Sequence, residues 1–251
     1  MGRFLTSDKP ALTVMLQCQT PEVAIGRIRN ALHLGADAFG LQVESLLPEY
    51  QTPEVYRKLF QEMRGKPAYV TNYRSSSNKG KSDEELAEGL LTLAQCGAAL
   101  CDVQGDLFSC HPIQMTEDKA AIEKQMELIE KIHAKGADVL MSAHTHCFLP
   151  ADQVLELAFE QKRRGADIIK IVTEADDMQQ QLENMKTIDL LKRELGIPFL
   201  FLCGGECSIM RRLGTRLGNC MALCVYEHDH LSTPGQPLLQ VMKQIRDQIQ
   251  F

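Results

Sequence analysis

A single lysine interrupts the apolar run Asp167-Ile168-Ile169-Lys170-Ile171-Val172. Side chains alternate along a strand, so Ile168, Lys170 and Val172 share one face. An ammonium among aliphatic side chains is costly unless the amine is neutral, paired or used. Two bland arrangements satisfy it: the side chain snorkels to a polar rim, or a carboxylate pairs with it. The chemical alternative is that desolvation favours the free amine, which attacks a carbonyl and forms a Schiff base.

A second polar cluster ends the run Leu140-Met141-Ser142-Ala143-His144-Thr145-His146. By the same alternation Leu140, Ser142, His144 and His146 lie on one face, and His144 sits where a strand meets its loop. Imidazole titrates near neutrality, so His144 suits proton transfer to and from an imine on a neighbouring strand. Its bland counterpart is a rim histidine bonded to a backbone carbonyl. His144 and His146 also have the spacing of a metal pair, with Cys147, His228, Asp229 and His230 as conceivable further ligands. No carboxylate lies in the local motif, which argues against metal chemistry. Gly204-Gly205 offers a weak anion-cradle signal.

Residues of this kind need a rigid support, and the rest of the chain supplies one. Eight β-rich runs alternate with amphipathic helical stretches: Leu12–Gln19, Ala38–Leu46, Pro67–Tyr73, Ala99–Asp106, Val139–His146, Asp167–Glu174, Pro198–Gly204 and Asn219–Tyr226. That order builds a parallel sheet from βαβ units, and eight units in 251 residues predict one closed (β/α)8 TIM barrel spanning residues 1–251. Gly35, Gly97, Gly136 and Gly165 each precede a strand, where a left-handed helix cap is wanted. The recurring Gly-Ala-Asp at positions 35, 136 and 165 is therefore turn chemistry. Lys170 and His144 fall toward the opposite corner, the C-terminal ends of strands where barrel active sites lie.

Composition narrows the class. The chain is 44% hydrophobic and 24% charged, and no apolar run approaches the length of a membrane span. Met1 to Pro10 lacks a signal-peptide core, so a cytoplasmic location is expected. With 27 basic against 33 acidic residues, a net charge of -6 and no basic run, nucleic acid is not an expected partner. Nine cysteines, an odd number without a CxxC pair, fit reduced thiols better than disulfides or structural zinc.

With these residues in place the sequence resembles the type I 3-dehydroquinate dehydratases, the Schiff-base lyases of the shikimate pathway in aromatic amino acid biosynthesis. The resemblance covers nearly the whole chain. It is carried by Gly35-Ala36-Asp37-Ala38, Tyr73-Arg74-Ser75, Met141-Ser142-Ala143-His144, Gly165-Ala166-Asp167-Ile168-Ile169-Lys170-Ile171 and Ser232-Thr233-Pro234-Gly235-Gln236. It implies that Lys170 forms the imine and that His144 is the general acid and base. It also implies that Arg74, Arg211, Ser232 and Gln236 hold substrate, with Arg212 replacing Arg211 if the alignment slips by one. Neither cofactor nor metal is implied, and the partner is a small keto-acid. Apolar helix positions are compatible with a homodimer.

The departures concern recognition. The family's Glu-x-Arg on the second strand reads Gly40-Leu41-Gln42, its Asp-x-Glu on the fourth reads Asp102-Val103-Gln104, and its loop glutamate after Arg74 reads Asn78. Three acids and one arginine are lost, a change of about two charges toward positive that favours a neutral amine. Gln42 then contacts substrate in place of an arginine, and the histidine loses its carboxylate partner. Three functions remain open at this point: dehydration of a cyclic keto-acid, imine-dependent aldol cleavage or dehydration of a different keto-acid, and a non-catalytic anion-binding barrel.

Overall fold

The computed structural model describes residues 4–249; Met1, Gly2 and Arg3 of the N-terminal segment read above lie outside them. Strands and helices alternate as β1 (Ala11–Leu16), α1 (Pro21–Leu34), β2 (Ala38–Gln42), α2 (Pro53–Glu62), β3 (Ala68–Thr71), α3 (Asp83–Cys96), β4 (Leu100–Gln104), α4 (Lys119–Ala134), β5 (Asp138–His144), α5 (Ala151–Arg163), β6 (Ile168–Glu174), α6 (Met178–Glu194), β7 (Phe199–Gly204), α7 (Met210–Leu217), β8 (Met221–Cys224) and α8 (Leu239–Gln248). All ladders are parallel, and the strand order β7-β6-β5-β4-β3-β2-β1-β8 returns β8 to β1. This is a (β/α)8 TIM barrel.

Closure differs from the sequence expectation at one seam. Among the described residues no ladder joins β7 to β8. The Cys220 N–H donates to Phe199 O at 2.9 Å, and the buried Asn219 amide donates to Phe201 O at 2.9 Å while accepting from Phe201 N at 2.8 Å. A primary amide carries the same donor and acceptor as a peptide unit, so one side chain satisfies the strand edge that a ladder would otherwise cover.

Pleat alternation sorts the core into two layers. Inward side chains Met15, Tyr69, Leu100, Leu140, Ile168 and Met221 fill the barrel, and Phe4 joins them from below, its ring edge-on to Tyr69 at 6.4 Å. Outward residues such as Phe39, Val70, Met141 and Phe201 pack against Ile28, Leu59, Ile132 and Leu191 of the helices. Gly35 and Gly97 end α1 and α3 at φ 87 and 113, the left-handed caps expected before β2 and β4.

The strands stop earlier than the apolar pattern suggested. After Gln42 the chain winds into a 3-10 turn, Val43–Ser45, whose first residue continues the apolar run. After His144 it turns, with His146 at φ 54 and exposed, so His146 does not extend the face that carries His144. Among the described residues no helix is long and apolar enough to cross a membrane. Met178, Leu182 and Met185 form an exposed apolar stripe on α6. All nine cysteines are free thiols.

Candidate active site

Lys170 points up the barrel interior from the middle of β6, beside Ser142 in the β5–β6 register. Its side chain is 5% exposed, and its ammonium finds three acceptors: Tyr73 Oη at 2.9 Å, Tyr69 Oη at 3.1 Å and Asp102 Oδ2 at 3.2 Å. An ammonium has three protons, so this set satisfies it completely. Both phenols in turn donate to Asp102 Oδ2, and Ser142 Oγ donates to Oδ1 at 2.5 Å. Burial, followed by the Asp102 charge, holds both tyrosines well above the usual phenol range, which keeps them protonated. The lysine is thus paired with a carboxylate and caged by two rings whose centroids lie 5.8 and 5.5 Å from Nζ.

Tyr69 reaches this position because β2 gives way. Gly40 pairs with Met15 on one side and Tyr69 on the other. A Cβ at position 40 would lie 2.3 Å from Met15 Sδ and 3.0 Å from Tyr69 Cδ1. The place where the resemblance implies an acid is filled by a thioether and a ring edge.

His144 ends β5 with its ring edge-on to Tyr73 at 5.8 Å. Burial, then its neighbours Lys170, His146 and Arg211, hold it well below the usual imidazole value, so it is neutral at pH 7. Its Nδ1 and its backbone N–H both face Gln114 Oε1, at 2.7 and 3.1 Å. Gln114, from the loop between β4 and α4, carried no signal in the sequence.

A cavity of about 100 Å³ opens over these groups, lined by Lys170, His144, Tyr69, Tyr73, Gln42, Arg211, Thr233 and Gln236 together with apolar Met15, Val172, Leu202 and Leu223. Arg211 is half-buried, desolvation lowers its pKa against the charges of Cys203 and Glu174, and among the described residues its guanidinium makes no hydrogen bond or ion pair. Gly235, at φ 80, lies over it; a Cβ there would come within 3.4 Å of Arg211 Cδ. Arg212, the alternative reading, is absent from this lining. Gln42 donates to the buried Glu44 at 3.2 Å, which leaves its Oε1 buried without a donor, and Gln236 Oε1 is likewise unpartnered. Burial pushes the Glu44 carboxyl up, against hydrogen bonds from Thr71, Gln42 and Tyr73 N.

Other expected contacts go elsewhere. Arg74 forks onto Asp83 at 2.6 and 2.8 Å and reaches Asp106 at 2.9 Å, and it does not line the cavity. Ser232 Oγ donates to Asp229 at 2.8 Å within its own turn, and its neighbour Thr233 faces the cavity instead. Asn78 bridges Asn72 and the Tyr73 carbonyl as a buried loop brace. Gln104 is buried on β4 outside the lining. The side-chain direction of a loop residue is not set by a pleat, and here nearby acids and backbone acceptors capture Arg74 and Ser232. A larger groove of about 640 Å³ between α4 and α5 shares no residue with this cavity. No three His, Cys, Asp or Glu side chains among the described residues could together hold a metal.

The model of the type I 3-dehydroquinase family matches residues 12–250. The chain belongs to that family. A curated 3-dehydroquinate dehydratase of Alkaliphilus oremlandii is 29% identical over 136 residues, which is 53% of this chain and 51% of that protein, so the aligned part spans about half the relative's length. Among solved structures, the type I 3-dehydroquinate dehydratase of Clostridium difficile with covalently modified comenic acid superposes with a TM-score of 0.81 at 16% identity, covering 97% of this chain and 93% of that one. The 3-dehydroquinate dehydratase of Geobacillus kaustophilus gives 0.79 at 15% identity, covering 97% and 92%. At such identities the dehydroquinase likeness of structure speaks for the fold.

Proposed function

We propose that this dehydroquinase-family barrel is a carbon–oxygen lyase that dehydrates a cyclic keto-acid through an imine on Lys170. One observation carries the reading: a small cavity joins the Lys170 amine, a neutral histidine and a half-buried guanidinium that makes no ion pair. The keto-acid's carboxylate pairs with Arg211, whose planar fork suits it. Lys170 gives up a proton, for which Asp102 Oδ2 is the adjacent acceptor, and its amine adds to the ketone. Loss of water gives the iminium, which acidifies the neighbouring C–H. His144 removes that proton and delivers it to the departing hydroxyl; hydrolysis of the iminium releases the enone and restores the amine.

A substrate other than 3-dehydroquinate is favoured by the groups at and around the rest of the cavity. Gly40 covered by Met15, Arg74 tied to Asp83 and Asp106, and the bare acceptors Gln42 Oε1 and Gln236 Oε1 together suit a keto-acid with fewer hydroxyls on one edge and hydrogen-bond donors on another. Incubation with 3-dehydroquinate and related cyclic keto-acids under borohydride, followed by peptide mass mapping, tests the chemistry. A reduced adduct on the Lys170 peptide, abolished in Lys170→Met, is the expected result. An adduct on another lysine, such as exposed Lys79, or none with any keto-acid, overturns the reading and leaves a non-catalytic anion-binding barrel.

A further inference from the structure

The amide of Gln114 meets two groups of one residue, and their chemistry removes an ambiguity that ring geometry alone leaves. A backbone N–H can only donate, so the atom facing His144 N at 3.1 Å is an acceptor, which fixes it as the amide oxygen. The same oxygen lies 2.7 Å from His144 Nδ1. An amide oxygen cannot donate, so Nδ1 must carry the proton. In a neutral imidazole the other nitrogen, Nε2, then holds the free lone pair. Among the described residues nothing hydrogen-bonds Nε2, and His144 lines the cavity that contains Lys170.

The loop is built to hold this amide in place. Gln114 sits at φ 51, a left-handed backbone that a non-glycine residue keeps only when its surroundings impose it. Gln114 N donates to His111 O at 2.9 Å, and two residues on Thr116 N donates to Gly105 O at 3.0 Å. Buried Arg164, the residue that caps α5, closes the arrangement, donating to Thr116 O at 2.7 Å and to Gly105 O at 3.0 Å. Gly105 allows the close approach, since a Cβ there would lie 2.8 Å from Gln114 O and 2.5 Å from Met115 Sδ.

We propose that Gln114 is a positioning residue for proton transfer, holding His144 in the Nδ1–H tautomer with Nε2 presented to the cavity as a base. The proposal rests on the reading of His144 as the base, but its geometry does not depend on turnover. An amide in this role orients the ring without adding negative charge. A carboxylate in the same place would stabilise the imidazolium, whereas the groups that face His144 here are Lys170 on β6, Arg211 on α7, His146 beyond β5 and the phenol of Tyr73 after β3, with Asp102 reached through that phenol. Position 114 therefore supplies the orientation that a carboxylate partner would give and leaves out the charge.

Long-range proton–nitrogen correlation on protein with ¹⁵N-labelled histidine rings tests this directly, with the His144 signals identified by their loss in His144→Ala. Native protein at neutral pH should show a protonated, pyrrole-like Nδ1 and an unprotonated, pyridine-like Nε2. Gln114→Ala should average the two nitrogens, lower kcat for 3-dehydroquinate about ten- to a hundredfold, and leave KM within about threefold. Gln114→Glu should restore the Nδ1–H tautomer and most of kcat. It should also move the acid limb of the rate profile to higher pH, because the base works only when neutral and a carboxylate raises the pH at which it becomes so. An Nε2–H tautomer or an imidazolium in the native spectrum overturns the proposal, as does a Gln114→Ala variant with unchanged ring signals. A native spectrum as expected without any Lys170 adduct would uphold the tautomer assignment and reject the proposed reaction.

Discussion

Asp102→Asn is the most informative single change to the barrel interior, because one buried carboxylate accepts from four groups. Tyr69 Oη, Tyr73 Oη and Lys170 Nζ converge on Oδ2, and Ser142 Oγ bonds Oδ1. Asparagine keeps the shape. Its best orientation turns the amide oxygen to Lys170 and the NH₂ to Ser142, whose hydroxyl can rotate to accept. Hydrogen bonding is then largely preserved and the lost quantity is the charge facing the ammonium. The two side chains are 0% and 5% exposed, so little water is present to replace it. Removing one partner of a buried ion pair costs about 3–5 kcal/mol, and the surviving amide contact puts this case near the lower end. For a chain of this length about 3 kcal/mol corresponds to a fall in Tm of roughly 6–12 °C.

Thermal and guanidinium unfolding of Asp102→Asn, Lys170→Met and the double variant would measure it as a cycle. The double variant removes both charges and should be more stable than the sum of the single losses implies, with a coupling of at least about 1.5 kcal/mol. Asp189→Asn, which breaks the exposed α6 pair with Arg193, should leave Tm almost unmoved and serves as the control. A loss below about 1 kcal/mol for Asp102→Asn, or a coupling near zero, would show that Lys170 and Asp102 do not meet as an ion pair and that the cage around the amine is wrongly described.

Two further outcomes follow from the same geometry. His144→Ala should slow turnover by about a hundredfold or more, the scale of general acid–base catalysis, while His146→Ala at the exposed turn should have little effect; equal losses restored by added zinc would point to metal chemistry instead. The kcat/KM for 3-dehydroquinate should fall roughly two to four powers of ten below an ordinary enzyme value of about 10⁴ M⁻¹s⁻¹, since two charge-assisted contacts are missing at Gly40 and Gln42. Steady-state kinetics giving that ordinary value would mean that other residues supply the missing contacts.

What the sequence could reveal depended on how strongly the backbone dictates side-chain direction. On strands the two-residue period is enforced by the pleat, so Lys170 and His144 were correctly aimed inward from spacing alone. Strand ends were overrun where apolar residues continue into other structure, as Val43 does in the 3-10 turn after β2. Loops have no such period. Arg74 and Ser232 matched the family pattern yet turn to Asp83, Asp106 and Asp229, acids that alternation cannot place near them. Gln114 lies ten positions beyond the last residue of β4, on a segment whose path is fixed by Arg164 from another unit of the barrel, and no local pattern marks such a contact. The hydrogen bonds that Tyr69 and Tyr73 make were not legible, because their hydroxyls meet Asp102 across a neighbouring strand, which sequence spacing cannot show.

The losses on β2 and the cage around Lys170 are one change seen from two sides. A Cβ at position 40 would lie 2.3 Å from Met15 Sδ and 3.0 Å from the edge of Tyr69, so the glycine that stands where the resemblance implies an acid also leaves room for the thioether and the ring. That ring carries a hydroxyl to Asp102 and Lys170, and Tyr73 brings a second from the end of β3. On the proposed reading, β2 brings no charged side chain to the substrate, while polar but neutral groups gather at the amine. A carboxylate near the substrate hydroxyls would compete with Asp102 for the same cation in a cavity of about 100 Å³, whereas phenols, held in their protonated form by burial, accept from the ammonium and donate to the carboxylate without altering the net charge. On this argument Gly40→Glu alone should not recover handling of 3-dehydroquinate. Recovery would require shrinking Tyr69 and Met15 in the same variant, to make room for the acid beside the lysine.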